Sequence, residues 1–374
     1  MAHAYTPGLR VTRQAVIRRE RRLPLKGEVL VEPGSKVRRD QVVARTQLPG
    51  DVATLNLVNR LGISPGELPR YMLKREGDPV AAGEPLAETR PLIKWFKTTV
   101  TSPVVGTVES ISTVTGQVIL RQPPRPVEVL AYLDGTVAQV FPQEGVLVET
   151  CGAFVQGIFG IGGERWGTLR VLAGAPDEVL DPRQLERDCA GQVVVGGGLL
   201  THAVIEQARQ VGAAAVIGGG LRDQDLRQLL GYDLGVAITG TEELGLTVIV
   251  TEGFGPIAMA RKTFEILQSC AGREVSVSGA TQIRAGVMRP EIVVPLPDLT
   301  DERCEVAPKS EGLKAGDLLR VIRVPHFGRI GRVSALPAEL QQIESGARVR
   351  VLEVEFEDGA RAVVPRANVE LIEE

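Results

Sequence analysis

The sequence predicts a multi-domain fold in which a central α/β domain with a parallel sheet lies between two all-β domains. At 374 residues the chain exceeds the size at which one hydrophobic core is usual. Between residues 192 and 267, short apolar runs alternate with glycine-rich turns and helical spacing, a pattern typical of repeated strand–helix units. On both sides of this stretch, Val- and Leu-rich runs separated by glycine turns indicate strands without helices.

The overall composition is that of a globular protein in water. Hydrophobic residues make up 43% and charged residues 24% of the chain, and the net charge of −3 argues against a strong general affinity for nucleic acid or anionic lipid. The charge is uneven, because the first 45 residues hold eleven Lys and Arg against four acids. Residues 1–22 are therefore interpreted as a basic N-terminal arm, either solvated or in contact with RNA, lipid or an acidic partner.

The sequence carries no membrane or metal signal. No apolar run reaches the roughly 18 residues of a membrane span, and no apolar signal region follows the first residues, so a cytoplasmic location is expected. Cys151, Cys189, Cys270 and Cys304 never form a C-x-x-C pair. We therefore predict no metal site and interpret the cysteines as small buried hydrophobic residues.

Residues 23–150 contain three related motifs of short strands punctuated by glycine. They read G-x-V-x-V-x-x-G-x-x-V from Gly27, G-D-x-V-x-x-G-x-x-L-A from Gly77, and S-P-V-x-G-x-V from Ser102. This segment resembles the barrel-sandwich hybrid of biotinyl and lipoyl carrier domains and of RnfC-type respiratory subunits. The resemblance implies that fold. Helical spacing of the apolar residues also indicates a helical insertion at residues 51–73 between its strands.

The carrier domains of this family hold their cofactor on a lysine within Met-Lys-Met or Asp-Lys-Ala. Lys26, Lys36 and Lys74 are the lysines before Lys94, and none has these neighbours. No covalent biotin or lipoate is therefore expected, and the sequence identifies no other cofactor. The use that the resemblance then implies is a rigid interaction module.

The central domain is assigned to residues 151–294 and is predicted to be Rossmann-like. Its glycine-rich segment at residues 155–164 fits neither a Walker loop nor a dinucleotide fingerprint, because Trp166 begins an expected strand instead of a helix. Here the glycines are expected to permit a close backbone approach. The later glycine turns follow predicted strands, at the sheet edge where ligands bind in parallel α/β folds.

We identify candidate ligand-binding residues at that edge. They comprise the glycines and polar side chains that follow the strands, with two arginines farther along the chain. They are Gly196, Gly197, Gly198, Thr201, His202, Gly218, Gly219, Gly220, Thr251, Glu252, Gly253, Arg284 and Arg289.

His202 is the sharpest single candidate. The segment Gly197-Gly-Leu-Leu-Thr-His202 partly resembles the phosphohistidine segment of swivelling domains in phosphoenolpyruvate-utilising enzymes, but it departs from that pattern at Leu200. The resemblance implies a phosphoryl acceptor, whereas a capping or merely exposed histidine is the other interpretation. Arg284 and Arg289 either clamp a carboxylate or phosphate or pair with acids of their own domain.

Residues 295–312 are rich in Pro, Asp and Glu and are interpreted as a linker. The following residues, 313–374, contain G-D-x-x-x-V-I from Gly316 and P-x-x-N-V-E-L-I from Pro365, which closely resemble the KOW motif of NusG-like factors and some ribosomal proteins. The resemblance implies an SH3-like barrel that binds RNA, ribosome, RNA polymerase or protein alone. Arginines in an acid-free stretch are candidates for phosphate contacts, namely Arg320, Arg323, Arg329 and Arg332.

The sequence favours a non-enzymatic, multi-domain interaction or scaffold protein that acts within a larger assembly, with protein partners or self-assembly. It leaves two alternatives open. One is an enzyme or sensor that binds a phosphorylated or nucleotide-like ligand at the glycine-rich edge of the central sheet. The other is an RNA- or ribosome-associated factor that acts through the KOW-like module. Whether the protein is an enzyme stays undecided at this point.

Overall fold

A computed structural model describes most of the chain. The described residues are 9–89, 97–231, 244–281, 288–296, 313–321, 325–326, 329–337, 339–342, 348–356 and 358–373. Strands dominate this part of the protein, and helices are few and short. The expected combination of β-rich regions with a central α/β region is therefore present at the level of secondary structure.

The first half of the chain contains thirteen strands and two short helices within the described residues. In chain order these elements are β1 (Leu9–Arg22), β2 (Glu28–Val29), β3 (Lys36–Val37), β4 (Val42–Leu48), β5 (Val52–Asn56), α1 (Leu57–Leu61), α2 (Leu68–Tyr71), β6 (Pro79–Val80), β7 (Pro85–Glu88), β8 (Thr99–Thr101), β9 (Gly106–Ile111), β10 (Gln117–Arg121), β11 (Arg125–Leu130), β12 (Gly135–Phe141) and β13 (Gly145–Gln156).

The second half begins with the strand–helix alternation that the sequence predicts. Its elements are β14 (Phe159–Ile161), β15 (Glu164–Val171), β16 (Val193–Val195), β17 (Leu199–Leu200), α3 (His202–Val211), β18 (Ala215–Leu221), α4 (Asp223–Leu230), β19 (Thr247–Phe254), α5 (Arg261–Ser269), β20 (Glu274–Ser278) and β21 (Glu291–Pro295). The chain then ends in strands, which are β22 (Leu318–Val321), β23 (Ile330–Ala335), β24 (Leu340–Gln342), β25 (Arg348–Phe356), β26 (Arg361–Pro365) and β27 (Val369–Glu373).

These elements form four units, which we name by position. The N-terminal β unit comprises residues 9–50 and 123–156, the inserted unit residues 51–122, the α/β unit residues 157–296, and the C-terminal β unit residues 313–373. Each unit has a cluster of buried apolar side chains of its own. A chain of this length therefore builds several small cores, as its size predicts.

The described part of the basic segment before residue 23 is a strand and not an arm. Residues 9–22 form β1, which pairs antiparallel with β13 from the Val11–Val155 pair to the Arg22–Gly145 pair. Ala15 and Ile17 are buried on one face of the strand. The alternation of apolar and basic residues is thus that of a half-buried strand, with its arginines on the polar side or at its edges.

The inserted unit is a compact body on a narrow neck. At the neck, Gly50 lies so close to Gln122 that an added Cβ would stand 1.9 Å from the Gln122 carbonyl oxygen. The expected helical insertion is partly wrong, because Val52–Asn56 is a strand paired with β10. Only residues beyond Asn56 are helical, and Asn56 caps α1 by accepting a hydrogen bond from the Asn59 N–H at 3.1 Å.

The α/β unit is built on parallel strands in the order β15-β16-β18-β19, with the short β17 paired parallel to β18. The edges are antiparallel, since β14 pairs with β19 and β20 pairs with β15. The sheet is therefore mixed, with a parallel centre. Because β21 pairs with both β20 and β13, this sheet continues into the N-terminal β unit, and a domain boundary at residue 151 would cut β13 in two.

Local signals place most of the helices in this unit correctly. Thr201 caps α3 through its hydroxyl, and Gly212 ends the helix in the left-handed conformation. The expectation of glycine turns is wrong at two places, because Gly218–Gly220 and Thr251–Gly253 continue strands β18 and β19. Ile257 and Ala260 precede α5.

The C-terminal β unit is joined to the rest of the structure at two places. Strand β27 pairs parallel with the start of β1 through the Leu9–Ile372 and Arg10–Glu373 pairs. The Arg320 side chain of β22 reaches Glu252 of β19. Residues 297–312, the greater part of the expected linker, lie outside the described residues.

We predict that Ile17→Ala destabilises the protein by roughly 2–5 kcal/mol, because Ile17 fills the N-terminal core. Val16→Ala on the opposite face of the same strand is the control and should cost much less, since Val16 is only half-buried. Urea denaturation followed by circular dichroism measures both. Equal and negligible effects would contradict the placement of this strand in the core.

Candidate functional site

The carboxyl edge of the parallel strands is where the sequence places a ligand. Gly196, Gly197 and Gly198 follow β16 there, and α3 begins three residues later with Thr201 as its cap. The Thr201 hydroxyl accepts a hydrogen bond from the Val204 N–H at 3.3 Å. Helix and strand ends thus meet at this edge as the strand–helix alternation predicts.

Two segments of the protein's own backbone cover this edge. Residues 175–178 lie on Gly197 and Gly198, and a Cβ at Gly197 would stand 2.1 Å from the Ala175 carbonyl oxygen. Residues 255–259 lie on Gly219 and Gly220, and a Cβ at Gly219 would stand 2.4 Å from the Ile257 carbonyl oxygen. The glycines are therefore required for backbone packing at these positions.

The two covering segments are also bonded to each other and to the edge. The Met259 N–H donates to the Pro176 carbonyl at 2.9 Å and to the Gly197 carbonyl at 3.1 Å. The Gly198 N–H donates to the Glu178 carbonyl at 2.8 Å. These contacts place polypeptide where the sequence suggested room for a phosphate.

Three further glycines of this edge have backbone N–H groups that are bonded within the protein. The Gly196 N–H donates to the Ile217 carbonyl at 2.8 Å, and the Gly219 N–H donates to the Gly198 carbonyl at 2.8 Å. The Gly220 N–H also reaches the Gly198 carbonyl, at 3.3 Å. Since an N–H group that already has an internal partner does not attract an anion, this edge lacks the donors of a phosphate-binding loop.

Glu252 is buried and serves as an anchor for the C-terminal β unit. Its Oε1 accepts the Ala260 N–H at 3.0 Å, and its Oε2 pairs with the Arg320 guanidinium. The same guanidinium donates to the Glu252 carbonyl oxygen at 2.7 Å. We call this the Arg320–Glu252 contact, and it consumes both carboxylate oxygens.

The two neighbours of Glu252 are also engaged in the sheet. Thr251 is buried, and its hydroxyl donates to the Gly218 carbonyl at 3.3 Å. Gly253 has φ +133°, a conformation in which a side chain would be strained. These residues shape the end of β19 and do not project towards a ligand.

His202 is half-buried at the start of α3. Its main-chain N–H donates to the Asp225 Oδ1 at 3.2 Å, which ties α3 to the first turn of α4. The amino end of a helix attracts negative charge, and Asp225 supplies it. The contact of His202 with α4 is therefore made by its main chain, and it gives no support to a phosphoryl-accepting role for the imidazole.

Of the two central candidate arginines, only Arg289 belongs to the described residues. Arg289 is half-buried just before β21 and is engaged within the protein. Arg284 lies outside the described residues. His202 contacts α4, whereas Glu252 contacts the C-terminal β unit, and the expected convergence of these side chains is not among the contacts of the described residues.

The four candidate arginines of the C-terminal β unit are mostly committed to internal partners. Arg320 is 6% exposed, which removes it from any RNA-facing surface. Arg329 bonds to Asp358 at 2.5 Å and lies 3.8 Å from the Phe356 ring centre. Arg332 donates to the Gly316 carbonyl at 3.1 Å, and Arg323 lies outside the described residues.

Sequence reasoning missed two exposed arginines on a neighbouring hairpin. Arg348 and Arg350 lie on β25 opposite Gln342 and Leu340 of β24. Neither guanidinium has a hydrogen bond or ion pair with a described residue. Their alternation with Val349 and Val351 was the signal that could have identified them, because residues two apart share one face of a strand.

Tyr132 is another residue that the sequence did not single out. It is 1% exposed and adopts φ +68°, which is rare for a residue with a side chain. Burial is the main cause that raises the pKa of its phenol, and the nearby carboxylates of Glu291 and Glu164 raise this pKa further. Tyr132 is therefore a protonated, immobilised side chain between the N-terminal β unit and the α/β unit.

The cysteines among the described residues are buried, and one of them is bonded. Cys189 and Cys270 are buried thiols, and burial raises the pKa of both, which makes them poor nucleophiles. Cys151 is disulfide-bonded, so its interpretation as a simple buried thiol is wrong. Within the described residues, no group of three or more His, Cys, Asp or Glu side chains is arranged to hold a metal ion.

Comparison with known proteins gives no match, either to a protein-family model or to a curated protein. None of the described helices is long and apolar enough to cross a membrane. The positions and contacts of the residues themselves thus carry the functional argument.

We predict that Arg320→Ala costs roughly 3–5 kcal/mol of stability, because it leaves the buried Glu252 carboxylate without its cation. The C-terminal β unit should also become more accessible to proteases. Limited proteolysis and thermal unfolding measure the two effects. Arg329→Ala is the matched control, since Arg329 belongs to an exposed ion pair worth about 1 kcal/mol or less.

The double variant Glu252→Gln with Arg320→Met separates pairing from packing. If the two side chains interact, the double variant should lose less stability than the sum of the stability losses of the two single variants. Strictly additive losses would contradict the Arg320–Glu252 contact as the anchor.

Proposed function

We propose that the protein is a non-enzymatic, multi-domain interaction or scaffold protein that acts within a larger assembly. The observation that carries this proposal is strand β1, which pairs with β13 in the N-terminal β unit and with β27 in the C-terminal β unit. Through β13 and β21 the same sheet enters the α/β unit. Continuous strand pairing fixes the positions of the units relative to one another. A scaffold protein needs such fixed positions to hold several binding surfaces at once.

We also propose the finer fold assignments that the sequence motifs suggest. The glycine-punctuated short strands of the N-terminal and inserted units support a barrel-sandwich hybrid. The parallel centre of the α/β unit supports a Rossmann-like sheet. The antiparallel strands β22 to β27 support a KOW-type, SH3-like barrel.

The inserted unit is the surface that we assign to protein partners. It has its own core and a narrow neck, so its tip stands apart from the shared sheet. Val114 is 84% exposed in the turn between β9 and β10, and Val105 is 56% exposed before β9. Apolar side chains that stay this exposed are available for burial by a partner.

We predict that replacing residues 51–122 with a short Gly-Ser linker abolishes partner or self-association while the remaining units stay folded. The neck residues Gly50 and Gln122 are adjacent, so a few residues span the gap. Native mass spectrometry of crosslinked material from cells of the natural host measures the association. The Arg329→Ala variant, whose change lies outside the inserted unit, should assemble as the unaltered protein does.

If the mass spectra show the unaltered protein only as a monomer, bound to neither a partner nor a second copy, the scaffold proposal is wrong. If association survives removal of residues 51–122, the scaffold proposal stands and the assignment of its surface is wrong.

A second candidate function, association with RNA or the ribosome, is supported by the exposed Arg348 and Arg350. We expect the double variant Arg348→Ala with Arg350→Ala to weaken RNA binding and to reduce its dependence on salt, because two phosphate contacts are lost. Filter binding at several salt concentrations measures this. Arg361→Ala is the control, since Arg361 is paired with Glu355. Binding unchanged by the double variant would count against this function.

A further inference from the structure

A cleft lies at the seam between the N-terminal β unit and the α/β unit. Its volume is about 650 Å³, and its walls come from β3, β12 and β13 on one side and from the turn between α5 and β20 on the other. The first residues after β21 close one end. This size and this position between units are typical of small-molecule sites. We call it the seam cleft.

Each acid that lines the seam cleft is paired with an arginine. Asp134 accepts hydrogen bonds from the Arg39 N–H at 2.8 Å and from the Arg39 guanidinium at 2.5 Å. Glu274 is paired with the same guanidinium and accepts the Thr168 hydroxyl at 3.0 Å. The third acid, Glu149, is paired with Arg18. Because Arg39 is shared between two acids, these three carboxylates are met by two arginines.

Two cations in the same lining have no such partner. Lys36 and Arg273 make no hydrogen bond or ion pair through their side chains with any described residue, and both are exposed. They belong to different units and lie on the two sides of the seam. The cleft consequently carries a surplus of positive charge, which attracts an anion.

The backbone holds both cations in place. Lys36 pairs with Thr136 across β3 and β12. Arg273 follows Gly272, whose φ of +79° forms the turn, and the Arg273 N–H donates to the Cys270 carbonyl at 3.1 Å. Each side chain therefore starts from a fixed position in the cleft wall.

The remaining lining is largely apolar. Val37 is 5% exposed and contributes to the floor, and Ala138, Pro295 and Leu296 contribute to the walls. The Leu296 N–H donates to the Cys151 carbonyl at 2.9 Å and fixes that wall. A ligand that suits this lining has an apolar body as well as an anionic group.

We propose that the seam cleft binds a small organic carboxylate with an apolar body, its carboxylate held between Arg273 and Lys36. Arg273 offers the planar donor pair that matches a carboxylate, and Lys36 adds a point charge from the opposite side. Such a ligand bridges two units and stabilises their relation. This binding site is additional to the scaffold role and does not depend on the identity of any protein partner.

Isothermal titration calorimetry of the full-length protein with octanoate tests the proposal. Octanoate should bind, whereas 1-octanol, which lacks the charge, and inorganic phosphate, which lacks the apolar body, should bind at least about tenfold more weakly. Equal binding of octanoate and 1-octanol would overturn the proposal, because the cations would then have no part in binding. If phosphate binds as strongly as octanoate, the claim that the apolar lining contributes to binding is overturned.

Substitutions locate the site. Lys36→Gln with Arg273→Gln should weaken octanoate binding at least about tenfold, and Arg273→Lys, which keeps the charge, should retain part of it. Lys26→Gln is the control, since Lys26 is an exposed lysine of a different cleft. Octanoate should also slow amide hydrogen exchange at residues 134–138 and 272–274. Protection confined to other segments, or unchanged affinity in the double variant, would overturn the assignment.

Discussion

The pairing of β1 with β13 is the constraint on which the rest of the structure depends. Along this ladder, β1 contributes Val11 to the core of the α/β unit and Ala15 and Ile17 to the core of the N-terminal β unit. Strand β13 is shared in the same way, with Val155 in the first core and Phe154 in the second. Because one pair of strands serves two cores, neither unit can lose its place without disturbing the other.

What the sequence predicts well is local. The start of α3 at Thr201 and its end at Gly212 depend on capping interactions within a few residues, and threonine and glycine at such positions are sequence signals of helix ends. Strand β1 was missed because its partners are distant, with Arg19 paired to Glu291 and Arg21 to Glu164. The composition of the segment shows that these arginines are positively charged. It does not show which distant acids pair with them in the folded chain.

The glycine-rich edge shows a second limit of sequence reasoning. A glycine indicates that something approaches the backbone closely, but it does not distinguish a ligand from another segment of the same chain. At Gly197 the neighbour is the carbonyl of Ala175, and at Gly219 it is the carbonyl of Ile257. Glu252 was ambiguous for the same reason, since its partner Arg320 is 68 residues away.

The seam between the N-terminal β unit and the α/β unit combines strand continuity with ion pairs. Arg19, Arg21 and Arg39 each cross it to a carboxylate of the other unit. Partly exposed ion pairs of this kind add little net stability. The shared strands therefore hold the two units together, and the arginines fix how the two units are positioned along the seam. Lys36 and Arg273 flank the same seam, and neither side chain forms an ion pair with a described residue. An anionic ligand there would complete the pattern of paired charges that the rest of the seam already has.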